Sequence, residues 1–128
     1  MAAPPPSLLL STVAEPTRLR ILNCLAAAPL FVSDLQLLLD LPQPTVSRHL
    51  QVLRKLALVR DTPIAQFVLY RLRRDGSTQA DLVHKVLDAV STDEAMRAER
   101  VRAADRSRQN ASTRLPAART PRRPRTAT

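Results

Sequence analysis

Apolar residues recur at helical spacing in several segments of the chain, and they predict a series of short helices. Residues 7–15 predict a first helix, and Pro16 opens a second helix that stops before Pro29. A third helix is expected to begin at Ser33, where Ser-Asp-Leu-Gln matches a capping box. Ser33 would accept a backbone hydrogen bond while Gln36 reaches back to the Ser33 amide.

The second half of the pattern changes from helix to strand and back again. A fourth helix is expected over residues 43–57, and residues 59–72 then alternate around a Thr62-Pro63 turn, which predicts a β-hairpin. Gly76 interrupts the pattern before a last helix, expected over residues 77–95. The predicted fold class is mainly α with a small β-hairpin (α+β), arranged as a winged helix-turn-helix.

Composition narrows the kind of protein this can be. Hydrophobic residues make up 45% of the 128 residues, but aromatic residues only 2%, so the core must consist of Leu, Val, Ile and Ala. No apolar run approaches the length of a membrane span, and the first residues lack the basic start of a signal peptide. A single cysteine, Cys24, excludes an internal disulfide framework and fits a reducing, cytoplasmic environment. We expect no membrane association.

The net charge of +9 is distributed unevenly along the chain. Residues 97–128 hold ten arginines against two acidic residues, a net charge of +8, while residues 1–96 have a net charge of only +1. The sequence therefore predicts a folded domain over residues 7–96 and a basic, disordered tail over residues 97–128. Any claim of nucleic-acid binding for the domain must rest on where individual charges lie.

The fourth predicted helix carries the strongest candidate chemistry. Val46, Leu50, Leu53 and Ala57 share one face and predict its buried side. The remaining positions combine amide, hydroxyl and cationic side chains, which suit the base edges and phosphates of a major groove. The candidate DNA-binding residues of this helix are Gln43, Thr45, Ser47, Arg48, Gln51 and Lys55. In the hairpin, Arg60 and Arg71 are added as candidates for contacts by the wing. A solvated helix face would have a similar composition, but the capped helix before it and the hairpin after it favour DNA binding.

Four segments of this sequence resemble the ArsR/SmtB family of bacterial winged-helix repressors. They are EPTRLRILNCL (15–25), PLFVSDL (29–35), LPQPTVSRHLQVLRKLALV (41–59) and VLYRL (68–72). The resemblance implies a homodimer that binds double-stranded DNA at an inverted repeat and represses transcription until an inducer releases it. It also implies a dimer interface between the first and last helices, where apolar stripes lack a partner in the sequence pattern. The candidate dimerisation residues are Leu8, Leu9, Val13, Leu82, Val83, Val86, Leu87 and Val90.

The same resemblance bears on sensing. Many members of the family carry metal-binding cysteines at the positions of Phe31 and Ser33, so this chain lacks both thiolates. Asp81, His84 and Asp88 share a helix face, but a lone histidine among exposed carboxylates is more often solvated than a ligand. We expect no metal site and no cofactor, and the inducer stays unknown.

Three functional hypotheses follow from the sequence. The leading one is a homodimeric, sequence-specific repressor. A second is a DNA-binding module with no inducer of its own, controlled by a protein partner or by its abundance. A third is a less specific, basic nucleic-acid-associated protein in which the tail dominates. An enzyme is not expected, because no catalytic triad, paired buried carboxylates or glycine-rich phosphate loop is present.

Overall fold

The computed structural model describes residues 4–112, which form a helical domain with one small sheet. Its elements are α1 (Pro6–Ala14), α2 (Pro16–Ala27), β1 (Leu30–Phe31), α3 (Val32–Leu39), α4 (Gln43–Lys55), β2 (Val59–Ile64), β3 (Phe67–Leu72), α5 (Thr78–Val90) and α6 (Glu94–Ser112). The three strands are antiparallel in the order β1-β3-β2. This is the winged helix-turn-helix predicted from the sequence, with α3 and α4 as the helix-turn-helix and β2–β3 as the wing. The short strand β1 was not predicted.

Helix α2 lies at the centre of the domain and contacts α1, α3, α4, α5, α6 and β3. Its side chains Ile21, Leu22 and Cys24 are fully buried. Leu35 of α3 and Leu50 of α4 are equally inaccessible and belong to the same cluster. Cys24 is therefore a core residue. Burial of this cluster is the main force that holds α4 in place.

The start of α3 differs from the prediction. The helix begins at Val32 with Phe31 as its N-cap, so Ser33 and Gln36 do not form the expected capping box. The Asp34 Oδ2 atom instead accepts a hydrogen bond of 2.8 Å from the Phe31 amide. The acidic residue of the segment, rather than its hydroxyl, satisfies the open backbone donor at this end of the helix.

The wing also turns at a different place. The sequence placed the turn at Thr62-Pro63, but both residues lie in β2, opposite Leu69 and Val68. The chain reverses after Ile64, and Ala65 adopts a φ of 55°. Proline is tolerated in β2 because this strand lies at the edge of the sheet.

The C-terminal part of the domain differs most from the prediction. The last predicted helix, residues 77–95, corresponds to α5, which ends at Val90, and a further helix, α6, runs from Glu94 to Ser112 into the predicted tail. The expectation of disorder is therefore wrong for residues 97–112, which pack against α2 and α3. The rest of the predicted tail, residues 113–128, lies outside the described residues. In the part of the chain that is described, no helix is long and apolar enough to cross a membrane.

Candidate nucleic-acid interface

Helix α4 is fixed by one buried face. Val46, Leu50 and Leu53 have no exposed surface, which confirms three of the four predicted inner positions. The fourth, Ala57, lies beyond the helix and is half-buried. The helix begins after Pro42, whose side chain cannot cap it, and Pro44 occupies its first turn. It ends at Lys55, two residues earlier than expected, because the chain turns at Ala57 with a φ of 58°.

The outer face of α4 presents the candidate side chains to solvent. Gln43, Arg48, Gln51 and Lys55 are exposed, whereas Thr45 and Ser47 are half-buried. A hydrogen bond of 2.7 Å joins Gln43 Nε2 to Ser47 Oγ across one helical turn. Within residues 4–112, neither Arg48 nor Lys55 forms a hydrogen bond or an ion pair. Two cations on a rigid helix therefore have no counter-charge in contact with them.

Arg54 also belongs to this surface, although it is not among the predicted DNA-binding residues. Arg54 is exposed on the flank of α4, and its guanidinium donates to Gln51 Oε1 at 3.2 and 3.4 Å. This contact occupies the acceptor of the Gln51 amide and leaves its donor for another partner. The adjacent Lys55, at the basic end of the helix, was the signal that could have drawn attention to Arg54.

The wing carries a second concentration of positive charge. Arg60 on β2 lies directly opposite Arg71 on β3, an arrangement that repels unless a counter-charge is near. Arg60 reaches Asp75 at 3.3 Å, but Arg71 and Arg74 have no hydrogen bond or ion pair among the described residues. Together with Asp75, these three arginines line one side of an open hollow of about 490 Å³ at the base of the wing.

Asp75 connects the wing to its neighbours. It accepts hydrogen bonds from Arg73 Nε and, at 3.1 Å, from the Ser77 amide at the start of α5. Partial desolvation opposes ionisation of this carboxyl, but the hydrogen bonds from Arg73 and Ser77 outweigh it and hold the pKa of Asp75 well below its usual range. Arg73 also donates to the Ala57 carbonyl at 3.3 Å, so it serves the fold rather than the outer surface.

Two basic residues of α2, Arg18 and Arg20, contact other parts of the domain. Arg18 Nε donates to the Thr12 carbonyl at 2.8 Å, and Arg18 Nη1 lies 3.3 Å from His49 Nδ1. Arg20 forms an ion pair of 2.7 Å with Glu99. Arg18 and Arg20 therefore have structural roles within the domain.

His49 lies on the inner edge of α4, where its side chain is 15% exposed. Burial, followed by the nearby charges of Arg18 and Arg48, lowers the pKa of His49, although Glu15 at 3.9 Å acts in the opposite direction. The imidazole thus joins α4 to the α1–α2 junction.

The predicted dimerisation residues divide into two groups. Leu9, Val13, Val83 and Leu87 are at most 3% exposed and belong to the core of the protomer, which removes them from any intermolecular surface. The accessible members of the predicted set are Leu8, Leu82, Val86 and Val90. Leu10 of α1 is also accessible, with 49% of its surface exposed. An apolar hollow of about 230 Å³ separates the start of α1 from α5 beside these residues.

The side chains that could take part in sensing are either buried in the core, like Phe31 and Cys24, or not grouped with other described residues into a ligand site, like His84. Phe31 is buried, and burial together with the charge of Glu99 raises the pKa of the Cys24 thiol to about 12. His84 is half-buried on α5 between exposed Asp81 and Asp88. Across residues 4–112, no three side chains of His, Cys, Asp or Glu come together as a metal site.

The sequence of this chain is similar to those of known bacterial regulatory proteins. Residues 15–61 match the family described as "Bacterial regulatory protein, arsR family". The chain is 39% identical over 73 residues to the biofilm growth-associated repressor of Agrobacterium fabrum, covering 57% of this chain and 62% of that protein. It is 37% identical over 83 residues to the HTH-type transcriptional repressor SmtB of Mycobacterium tuberculosis, covering 65% of this chain and 58% of that protein. The chain thus spans less than two thirds of the length of either relative.

A solved structure extends the similarity to three dimensions. Reduced HlyU from Vibrio cholerae is 34% identical to this chain, with a TM-score of 0.59, and the match covers 67% of this chain and 84% of that one. The matching region is thus shared in sequence and in fold.

Proposed function

Because this chain belongs to the arsR family of bacterial regulatory proteins, we propose that it is a transcriptional repressor that binds double-stranded DNA in a sequence-specific manner. In this proposal, the protein acts as a homodimer on an inverted-repeat operator and reads each half-site with the outer face of α4. The relatives named as repressors support this function, and the residue roles rest on the geometry of α4 and the wing.

The observation that carries the proposal is the outer face of α4. Arg48 and Gln51 lie on it beside half-buried hydroxyls, and the helix is held by a fully buried opposite side. In the major groove, arginine matches the two acceptors of guanine, and the free amide donor of Gln51 can reach an acceptor such as N7 of adenine. A rigid helix that displays both groups offers direct contacts to base edges.

The wing arginines supply the complementary phosphate contacts. Arg60 and Arg71 repel each other across the two strands, with one carboxylate nearby, and a DNA phosphate beside them would relieve that repulsion. Since residues 1–96 have a net charge of only +1, this local cluster matters more for DNA binding than the overall charge of those residues.

The first experiment is selection of bound sequences from random double-stranded DNA by the full chain. We expect an inverted repeat whose half-sites are centred about one helical turn apart, as a two-fold dimer requires. Enrichment of single, unpaired half-sites would contradict the homodimer, and no enrichment at all would contradict sequence-specific binding.

The second experiment tests the role of Arg48. Arg48→Ala is expected to weaken binding to the selected site by about 1–3 kcal/mol and to relax the preference at one base pair. Arg108→Ala is the matched control, because it removes one exposed positive charge from α6 and leaves α4 intact. Equal affinities of the two variants in a titration at fixed salt would remove Arg48 from the reading surface.

A second candidate function retains DNA binding but replaces the inducer by a protein partner. It is favoured by the start of α3, the segment where many members of the family carry metal-binding cysteines. Here Phe31 is buried, and Asp34 binds Arg106 and Asn110 of α6, so this segment offers no open ligand site. Affinity for the selected DNA that stays constant across metal ions, thiol reagents and small organic ligands would support this version over a ligand-released repressor.

A further inference from the structure

Helix α6 is attached to the helix-turn-helix by a buried carboxylate. Asp34, on the first turn of α3, has no exposed surface. Its Oδ1 atom accepts from Arg106 Nε at 2.6 Å, and its Oδ2 atom accepts from Asn110 Nδ2 at 2.7 Å. Since Oδ2 also accepts from the Phe31 amide, one side chain holds both the start of α3 and the last turns of α6.

A second buried carboxylate holds the other half of α6. Glu99 is 4% exposed and forms a two-pronged contact with Arg20 of α2, at 2.9 Å from Nε and 2.7 Å from Nη2. Asn23 of α2 is fully buried and donates to the Met96 carbonyl at 2.9 Å. Arg100 in turn donates to Asn23 Oδ1 at 2.6 Å and to the Leu87 carbonyl at 2.8 Å. The inner face of α6 is thus matched to α2 and α3 by charge and hydrogen bonds.

These contacts couple the position of α6 to that of α3. A buried carboxylate that loses its partners must regain water, because an unpaired charge is costly in the protein interior. Asp34 can reach water only if α6 leaves or if the first turn of α3 moves outward. Since α3 packs against α4, movement at the start of α3 changes the support of the recognition helix.

We propose that the α2–α3 surface is a regulatory seat for the chain's own helix α6, and that occupancy of this seat sets the affinity of α4 for DNA. With α6 seated, α3 and α4 are held in the reading arrangement. When α6 leaves, the start of α3 rearranges around Asp34 and the specific affinity falls. This inference rests on the proposed DNA-binding function and names its means of control as a segment of the same chain.

The size of the effect follows from typical coupling between sites. Coupling of this kind changes affinity by about 5- to 150-fold, and we expect loss of the seat to weaken specific binding within that range. Non-specific binding should change little, because it depends on the number of positive charges rather than on the geometry of α4.

The test uses the full chain with both α6 partners of Asp34 removed, as Arg106→Gln combined with Asn110→Ala. Arg108→Gln is the matched control, since it removes the same charge from the same helix but loses only an exposed contact with Asp105. Amide hydrogen exchange of residues 94–112 reports whether α6 stays seated, and titrations against the selected site and against unrelated DNA report both affinities at one salt concentration. Thermal unfolding verifies that the rest of the domain is intact.

We expect the double variant to lose exchange protection in α6 and to bind the selected site about 5- to 150-fold more weakly than the control, with equal affinities for unrelated DNA. Unchanged protection of α6 would show that Asp34 does not hold it and would overturn the proposal, as would lost protection with unchanged specific affinity. If the unmodified protein selects no site at all, the DNA-binding function itself fails. If the double variant does not fold, Asn110→Ala alone is compared with the unmodified chain by the same criteria.

Discussion

Helices α4 and α6 both carry arginines, but they use them in opposite ways. In α4 the apolar residues face inward, and Arg48 points to solvent with no ion pair to any residue between 4 and 112. In α6 the inward face includes Glu99, Arg106 and Asn110, which meet charged and amide groups of α2 and α3. One helix is held by hydrophobic burial and displays its polar groups, whereas the other is held by its polar groups. Basic composition alone therefore does not indicate a nucleic-acid contact.

The largest change in the free energy of unfolding is expected when a core side chain of α4 is removed. Leu50→Ala should lower the free energy of unfolding by about 2–5 kcal/mol, because it leaves a cavity at a fully buried position. Urea unfolding monitored by circular dichroism measures this loss. Arg48→Ala on the opposite face is the control and should lie within about 0.5 kcal/mol of the unmodified protein. Similar losses for both variants would contradict the one-sided attachment of α4.

A smaller and more local effect is expected at the polar attachment of α6. Asn23→Ala removes a buried amide that donates to the Met96 carbonyl and accepts from Arg100 Nε, at a cost of about 1–3 kcal/mol. We expect the loss to appear as faster amide hydrogen exchange in residues 94–112, with the amides of α4 protected as before. Equal deprotection of α4 and α6 would indicate that the two helices unfold as one unit.

The smallest effect concerns the contact between α4 and the α1–α2 junction through His49. The folded protein lowers the pKa of His49, so the unfolded chain binds that proton more readily. Its contribution to stability is therefore full above the ordinary value of 6.5 and is lost as the pH falls below it. His49→Gln should unfold with a weaker dependence on pH between about 7.5 and 5 than the unmodified protein, as measured by urea titrations. Identical pH profiles would exclude a linkage at His49.

The sequence predicted α4 correctly but not α6, and the reason is the same difference in how the two helices are held. The spacing of Val46, Leu50 and Leu53 predicted α4 and its buried side, because apolar periodicity directly reports hydrophobic packing. In α6 the buried positions are Glu99, Ala103 and Asn110, which carry almost no such signal. High charge and low hydrophobicity therefore led to a prediction of disorder for a segment that is helical up to Ser112.

The polar contacts between α6 and the α2–α3 surface could not be predicted for a further reason. Asp34 meets Arg106 and Asn110 across more than 70 residues of sequence, and no local pattern connects such distant positions. The same limit applies to β1, whose two residues gain strand structure only by pairing with β3. The dimer stripes were also misjudged in part, since periodicity identifies buried faces without saying which surface buries them. Leu9 and Val83 prove to be core residues of the protomer.

Strand β3 also determines what can be observed in solution. The chain has one tyrosine and no tryptophan, and that tyrosine is Tyr70, in the middle of β3. It is 5% exposed and lies opposite Leu30 on one side and Asp61 on the other. Intrinsic tyrosine emission from the unmodified protein thus comes from the wing alone. Changes at the wing can be followed in real time without a label, whereas α4 and α6 contain no tyrosine or tryptophan of their own.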